Sequence, residues 1–201
     1  MICRNTRRAS AALLWLLVLA GCVPMARTPP APADWQHHVA SIAARDAWRL
    51  SGKIGLRGAA KNGSAFLNWE QQGNRFRLVM SGALGIGRLV LNGDAEGISW
   101  TDQRGGGGQH ANPDALVEQM WGWHIPVRAL RYWARGIPQP DTRVKQLRIV
   151  DGTAESFTQS GWQLRYDRYR SEAGLMLPGR LRMDRDGVAL TLVIASWGSS
   201  P

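Results

Sequence analysis

Few side chains in this sequence are placed to do chemistry, and the one with the most specific setting is Cys22. It closes the run Leu19, Ala20, Gly21, Cys22, which matches the bacterial lipobox. Small residues there let the backbone enter a peptidase cleft, and a cysteine thiolate is a nucleophile that diacylglycerol can alkylate. The chemistry is thus modification of the chain itself. Val23 follows the cysteine rather than Asp, the usual inner-membrane retention signal, which favours the outer membrane. Cys3 lies upstream and would be removed, so Cys22 is the only Cys left and no disulfide forms within the mature chain.

Chemistry on a substrate finds no matching constellation. His37 and His38 are adjacent and cannot face one metal from a regular element, while His110 and His124 stand apart in sequence, so no metal site is expected. There is no G-x-S-x-G and no phosphate loop. The glycines at 105–108 lack the following Lys and Ser/Thr, and read as a flexible loop. Asp184 and Asp186 belong to "MDRDG", most simply a hairpin turn, and Asp46 has no neighbouring carboxylate. No catalytic residue and no cofactor are expected.

The elements that must position these residues begin with the leader. Arg4, Arg7 and Arg8 precede an apolar run from Ala11 to Ala20, the pattern of a secretory signal and too short for a spanning helix. Residues 1–21 are therefore expected to be a signal peptide. Residues 22–34, rich in Pro and Ala, form a lipidated Cys with an extended tether, and residues 35–201 a single domain. The formal charge is +10, with 25 Lys+Arg against 15 Asp+Glu. The Arg residues are scattered through strand-like segments, so a nucleic-acid partner is not expected, and attraction to anionic lipid or an acidic partner is the milder reading.

Within the domain, "WQHHVASIAAR" at 35–45 suits a short helix with Val39 and Ile42 on one side. Alternation then sets in. Trp48, Leu50, Ile54 and Leu56 share a parity; so do Ala65, Leu67 and Trp69, then Phe76, Leu78 and Met80, then Leu89 and Leu91. Short breaks between these runs predict an antiparallel meander. Two short helices follow: Asn112 caps a segment with Leu116 and Met120 four apart, and Pro126 opens one with Leu130 and Trp133 that stops at Gly136. They could lie across the concave face of a curved sheet. Strands resume in "KQLRIV", "WQLRYDRY", "GRLRMDR" and "VALTLVIASW", where Val188, Leu190, Leu192 and Ile194 share a face. The aligned apolar faces are either a filled core or an open, lipid-sized cavity. Periodicity alone does not choose between them.

The lipobox, "SGKIGLRG", "SAFLNWEQQGNRFRLVMSGALGIGRLVLNGD", "WGWHIPVRALRYWARGIP" and "LPGRLRMDRDGVALTLVIASW" together resemble the outer-membrane lipoprotein receptor family LolB, in order and over almost the whole mature chain. The resemblance implies a mainly β, α+β fold: a curved antiparallel sheet forming an unclosed barrel around a hydrophobic cavity covered by short helices. It further implies a monomeric, non-enzymatic receptor, anchored in the outer membrane and facing the periplasm. Such a receptor accepts acylated lipoproteins from a periplasmic carrier of the LolA type and releases them into outer-membrane lipid. The cavity is then expected from Trp48, Ile54, Leu56, Leu67, Trp69, Phe76, Leu78, Leu89, Leu91, Leu190 and Leu192, covered by Met120, Leu130 and Trp133. The family's exposed apolar loop residue falls on Leu84, within Ala83, Leu84, Gly85 and Ile86; Ala83 stands where the family usually has Pro. Burying one Leu in lipid is worth about 1.5–3 kcal/mol, enough to orient a tethered domain but not to anchor it. Two rival classes are an assembly lipoprotein that binds envelope proteins through its sheet edge and an envelope hydrolase.

Overall fold

The structure, a computed structural model, describes residues 33–58, 62–82, 87–121 and 126–199. A first helix, α1 (Ala33–Ala43), starts two residues before the expected Trp35 and buries Trp35 and Ile42. A meander follows: β1 (Ala47–Arg57), β2 (Asn62–Gln72), β3 (Arg75–Ser81), β4 (Leu89–Gly93), β5 (Ile98–Asp102) and β6 (Gly107–His110). Two helices interrupt it, α2 (Pro113–Trp121) and α3 (Val127–Trp133). The second half contributes β7 (Val144–Val150), β8 (Thr153–Gln159), β9 (Trp162–Asp167), a small hairpin of β10 (Arg170–Glu172) and β11 (Leu175–Leu177), then β12 (Arg180–Arg185) and β13 (Val188–Gly198).

Eleven of these strands form one antiparallel sheet in the order β6-β5-β4-β3-β2-β1-β13-β12-β9-β8-β7, with β10 and β11 paired separately. The ends of that order, β6 and β7, are not paired with one another, so the sheet is an unclosed barrel. The last strand pairs with the first, which brings the two apolar faces richest in Leu and Ile into direct register: Ile54 opposite Leu192 and Leu56 opposite Leu190. Alternation explains the burial. Along β2, Leu67, Trp69 and Gln71 are buried while Phe66, Asn68 and Glu70 are exposed.

The turns follow from residue chemistry as well. "DRDG" is the hairpin turn between β12 and β13, with Asp186 at φ 50° and Gly187 at φ 78°, the double positive φ of a type I′ turn whose twist matches the strands. The Gly-rich run departs from expectation. Gly107 and Gly108 are not loop but edge strand, pairing with Thr101 and Trp100. A side chain at Gly108 would come within 2.9 Å of the Trp100 indole nitrogen; glycine is there because the neighbouring tryptophan lies over the backbone.

Candidate functional site

The concave face of the sheet carries one enclosed hollow lined only by apolar side chains. Ile54 from β1, Leu67 and Trp69 from β2, Phe76, Leu78 and Met80 from β3 and Leu91 from β4 form one wall. Leu181 and Met183 from β12 with Leu190 and Leu192 from β13 form another. Val127 and Leu130 of α3, with Ala134 just beyond it, close the hollow. Its volume is about 70 Å³, well below the roughly 300 Å³ of the smallest ligand-sized pockets. No charged side chain lines it, and the Trp69 indole N–H among its lining residues is spent on Gln71 Oε1 at 3.0 Å. Such a space binds nothing by charge or hydrogen bond, and apolar chains by exclusion of water.

The lid α3 is held mainly at its C-terminal end. The Trp133 indole donates to Gln159 Oε1 (2.6 Å), which also accepts from the Gln139 amide (2.9 Å). Gln159 Nε2 donates to the carbonyls of Gln139 and Thr142, both at 2.9 Å. Just beyond, Arg135 Nη1 donates to the carbonyls of Ile42 and Arg45, each at 2.8 Å, and Nε to the carbonyl of Arg131 at 3.0 Å. Its guanidinium also lies over the rings of Trp48 and Tyr132. Burial pulls Arg135 down to about 10, so it keeps its charge at neutral pH with carbonyl dipoles and aromatic faces as partners. Among the described residues, fewer side-chain hydrogen bonds hold the N-terminal end. Pro126 offers no side-chain cap, and the Val127 amide donates to Asp114 Oδ1 of α2 (2.8 Å). Beside this end lies a hollow of about 410 Å³ that shares Trp69, Phe76 and Val127 with the apolar one and adds Asn74, Asp94, Arg131 and Tyr132. It forms a polar vestibule next to the apolar chamber.

The sequence-derived cavity residues divide accordingly. Ile54, Leu67, Trp69, Phe76, Leu78, Leu91, Leu130, Leu190 and Leu192 are brought together around the hollow. Trp48 is buried but turns toward Trp69 (5.2 Å) and Trp197 (5.8 Å), under α1. Trp133 is wholly buried against Gln159. Leu56 and Leu89 are half-buried near strand ends, away from the lining. Met120 belongs to α2, and its side chain lies outside the described ones. Cys22, and Ala83, Leu84, Gly85 and Ile86, also lie outside the described residues. Met80, Val127, Ala134, Leu181 and Met183 line the hollow without having been singled out. Met80 shares the parity of Leu78, and Leu181 and Met183 alternate in "GRLRMDR", so strand parity was the signal that could have found those three. Val127 and Ala134 depend on where the helix docks.

Among the described residues no cluster of three His, Cys, Asp or Glu side chains could hold a metal, and no helix is long and apolar enough to cross a membrane. The model of the family described as "Outer membrane lipoprotein LolB" matches residues 46–197. An outer-membrane lipoprotein LolB of Stutzerimonas stutzeri is 36% identical over 186 residues, covering 90% of each chain. One from Pseudomonas paraeruginosa is 36% identical over 163 residues, 81% of this chain and 80% of its own. Among solved structures, a DUF1329 family protein from Desulfovibrio piger superposes with a TM-score of 0.56, covering 86% of this chain and 94% of its own. A LolA superfamily protein from Nitrosomonas europaea gives 0.53, with 85% and 95% covered. Both are 8% identical and show the likeness of fold alone.

Proposed function

The chain belongs to the outer membrane lipoprotein LolB family, and from that membership we propose that its apolar chamber receives the acyl chains of lipoproteins on their way into the outer membrane. As a member it is an outer-membrane lipoprotein with a role in lipoprotein localisation. The finer reading is that a periplasmic carrier of the LolA type hands over the cargo and that this protein, tethered through Cys22 and residues 22–34, releases it into the facing leaflet without covalent chemistry. The observation that carries it is the chamber under α3, apolar on every side.

At about 70 Å³ that chamber does not hold an acyl chain as it stands. Admission requires α3 to move off the sheet, and the Val127 end beside the vestibule, with fewer side-chain hydrogen bonds among the described residues, is the side that can yield. An open chamber exposes apolar surface, a cost that acyl chains offset by filling it. The Leu84 loop, in this reading, touches the bilayer during release.

The test is displacement. An environment-sensitive apolar dye should bind with one-to-one stoichiometry and be displaced by an acylated lipoprotein, but not by the same polypeptide lacking its acyl chains. Failure to admit any dye, or equal displacement by the unacylated form, would leave this reading without a binding site.

A further inference from the structure

We infer that the outer face of the sheet, around the strand ends that carry the 83–86 loop, is built to rest on a bilayer containing anionic phospholipid. The inference rests on the membrane-delivery reading above but uses different residues.

Antiparallel order places the β1–β2, β3–β4 and β5–β6 connections at one end of neighbouring strands. Lys53 and Arg57 on β1, Arg88 just before β4 and Arg104 between β5 and β6 are all exposed at that end. No ion pair reaches any of them among the described residues. The one carboxylate among these strands at this end, Asp102, is taken up by its own turn, accepting from the Arg104 and Gly106 amides at 2.8 and 2.7 Å. At the opposite end of the same strands lie Asp46, Glu70, Asp94 and Glu96. Those four carboxylates lie among Arg45, Arg49, Arg75 and Arg77, so the net charge of these strands is balanced at that end and positive at the end that leads into the loop.

The same region exposes apolar surface on its outside. Val193, Lys53 and Phe66 are consecutive cross-strand partners on β13, β1 and β2, and the row continues to Ser81, the last residue of β3 before the loop. Phe66 is 53% exposed and Val193 38% exposed. The ammonium of Lys53 lies 5.9 Å from the centre of the Phe66 ring. An aromatic ring and a valine beside cations that no carboxylate pairs, with the nearest carboxylate of this outer face, Asp184 on β12, two strands from Arg57 across Ala189, match an interface where apolar groups enter the headgroup layer and cations meet lipid phosphates. An acidic protein would meet the same cations, and the vesicle measurement below separates it from lipid.

The experiment uses the acylated, anchored full-length protein, whose Cys22 sulfur is blocked. Ser64→Cys, on the Phe66 face, and Glu96→Cys, at the far end, are each labelled with a polarity-sensitive fluorophore. The expected result is a blue shift at position 64, and none at 96, in vesicles of phosphatidylcholine with roughly 30% phosphatidylglycerol. The shift should vanish above about 0.5 M salt. At about fivefold per cation, Arg57→Gln, Arg88→Gln and Arg104→Gln together should lower the docked fraction relative to the undocked about a hundredfold. Melting of that variant shows whether it folds, and the salt series decides the matter if it does not. Absence of any shift would overturn the inference, as would an equal shift in pure phosphatidylcholine or one that appears only when an acidic protein is added. Neither cargo nor chamber enters this measurement, so its failure is separable from a failure to bind acyl chains.

Discussion

Tyr166 and Tyr169 face each other across 6.4 Å, and only one of them has a partner. Tyr169 donates to the Ala154 carbonyl at 2.8 Å, whereas the buried Tyr166 hydroxyl has none in the structure. Burial raises both hydroxyls above the ordinary tyrosine range. A raised folded pKa means that the native state holds the proton more tightly; its contribution to stability is complete below the unfolded value and is lost as pH climbs past it. Denaturant midpoints should therefore fall above about pH 10. Tyr166→Phe should be as stable as the parent or slightly more so, while Tyr169→Phe should lose about 1 kcal/mol; a reversed order in urea unfolding would contradict these contacts. Arg135→Ala removes three hydrogen bonds and the cover of Trp48, and should cost about 2–3 kcal/mol by the same measurement.

At the scale of elements, legibility followed alternation. β1 to β4, β9, β12 and β13 carry large apolar residues at alternate positions along most of their length, and their inward faces could be read from the sequence. β8 could not: "TAESFTQ" has one large apolar side chain, Phe157, and its inner end is Gln159, a buried amide that looks like a surface residue until its four partners are seen. β5 and β6 were hidden by Ser, Thr and Gly at the sheet's margin. In the chamber, parity found the strand residues but could not give depth, so Leu56 and Leu89 were grouped with residues that α3 reaches although they lie beyond it. Helix docking was not legible at all, and Trp133 faces β8 rather than the chamber. Gln159→Leu tests this fastening: it leaves the Gln139 amide, the Trp133 indole and two carbonyls unpaired. It should cost about 2–4 kcal/mol and quicken entry of an apolar dye in stopped flow. An unchanged entry rate in a destabilised variant would mean that α3 does not gate the chamber.

For the whole molecule, two steps must be separable: capture under α3 and release at the membrane. Leu84→Glu places a well-solvated carboxylate on the loop, so folding and uptake of a labelled lipoprotein from the carrier should survive. Pushing that charge into the acyl region costs on the order of a few kcal/mol, so delivery to liposomes should fail; normal delivery by the folded variant would remove the loop from the mechanism. Capture itself is tested most directly with a lipoprotein whose acyl chains end in a photoactivatable diazirine, loaded onto the unaltered protein from the carrier and irradiated. Residence in the chamber predicts adducts on its lining, at Leu78, Met80, Leu91 or Leu130. Efficient transfer with adducts only on the outer face, or with none on the protein, would contradict it.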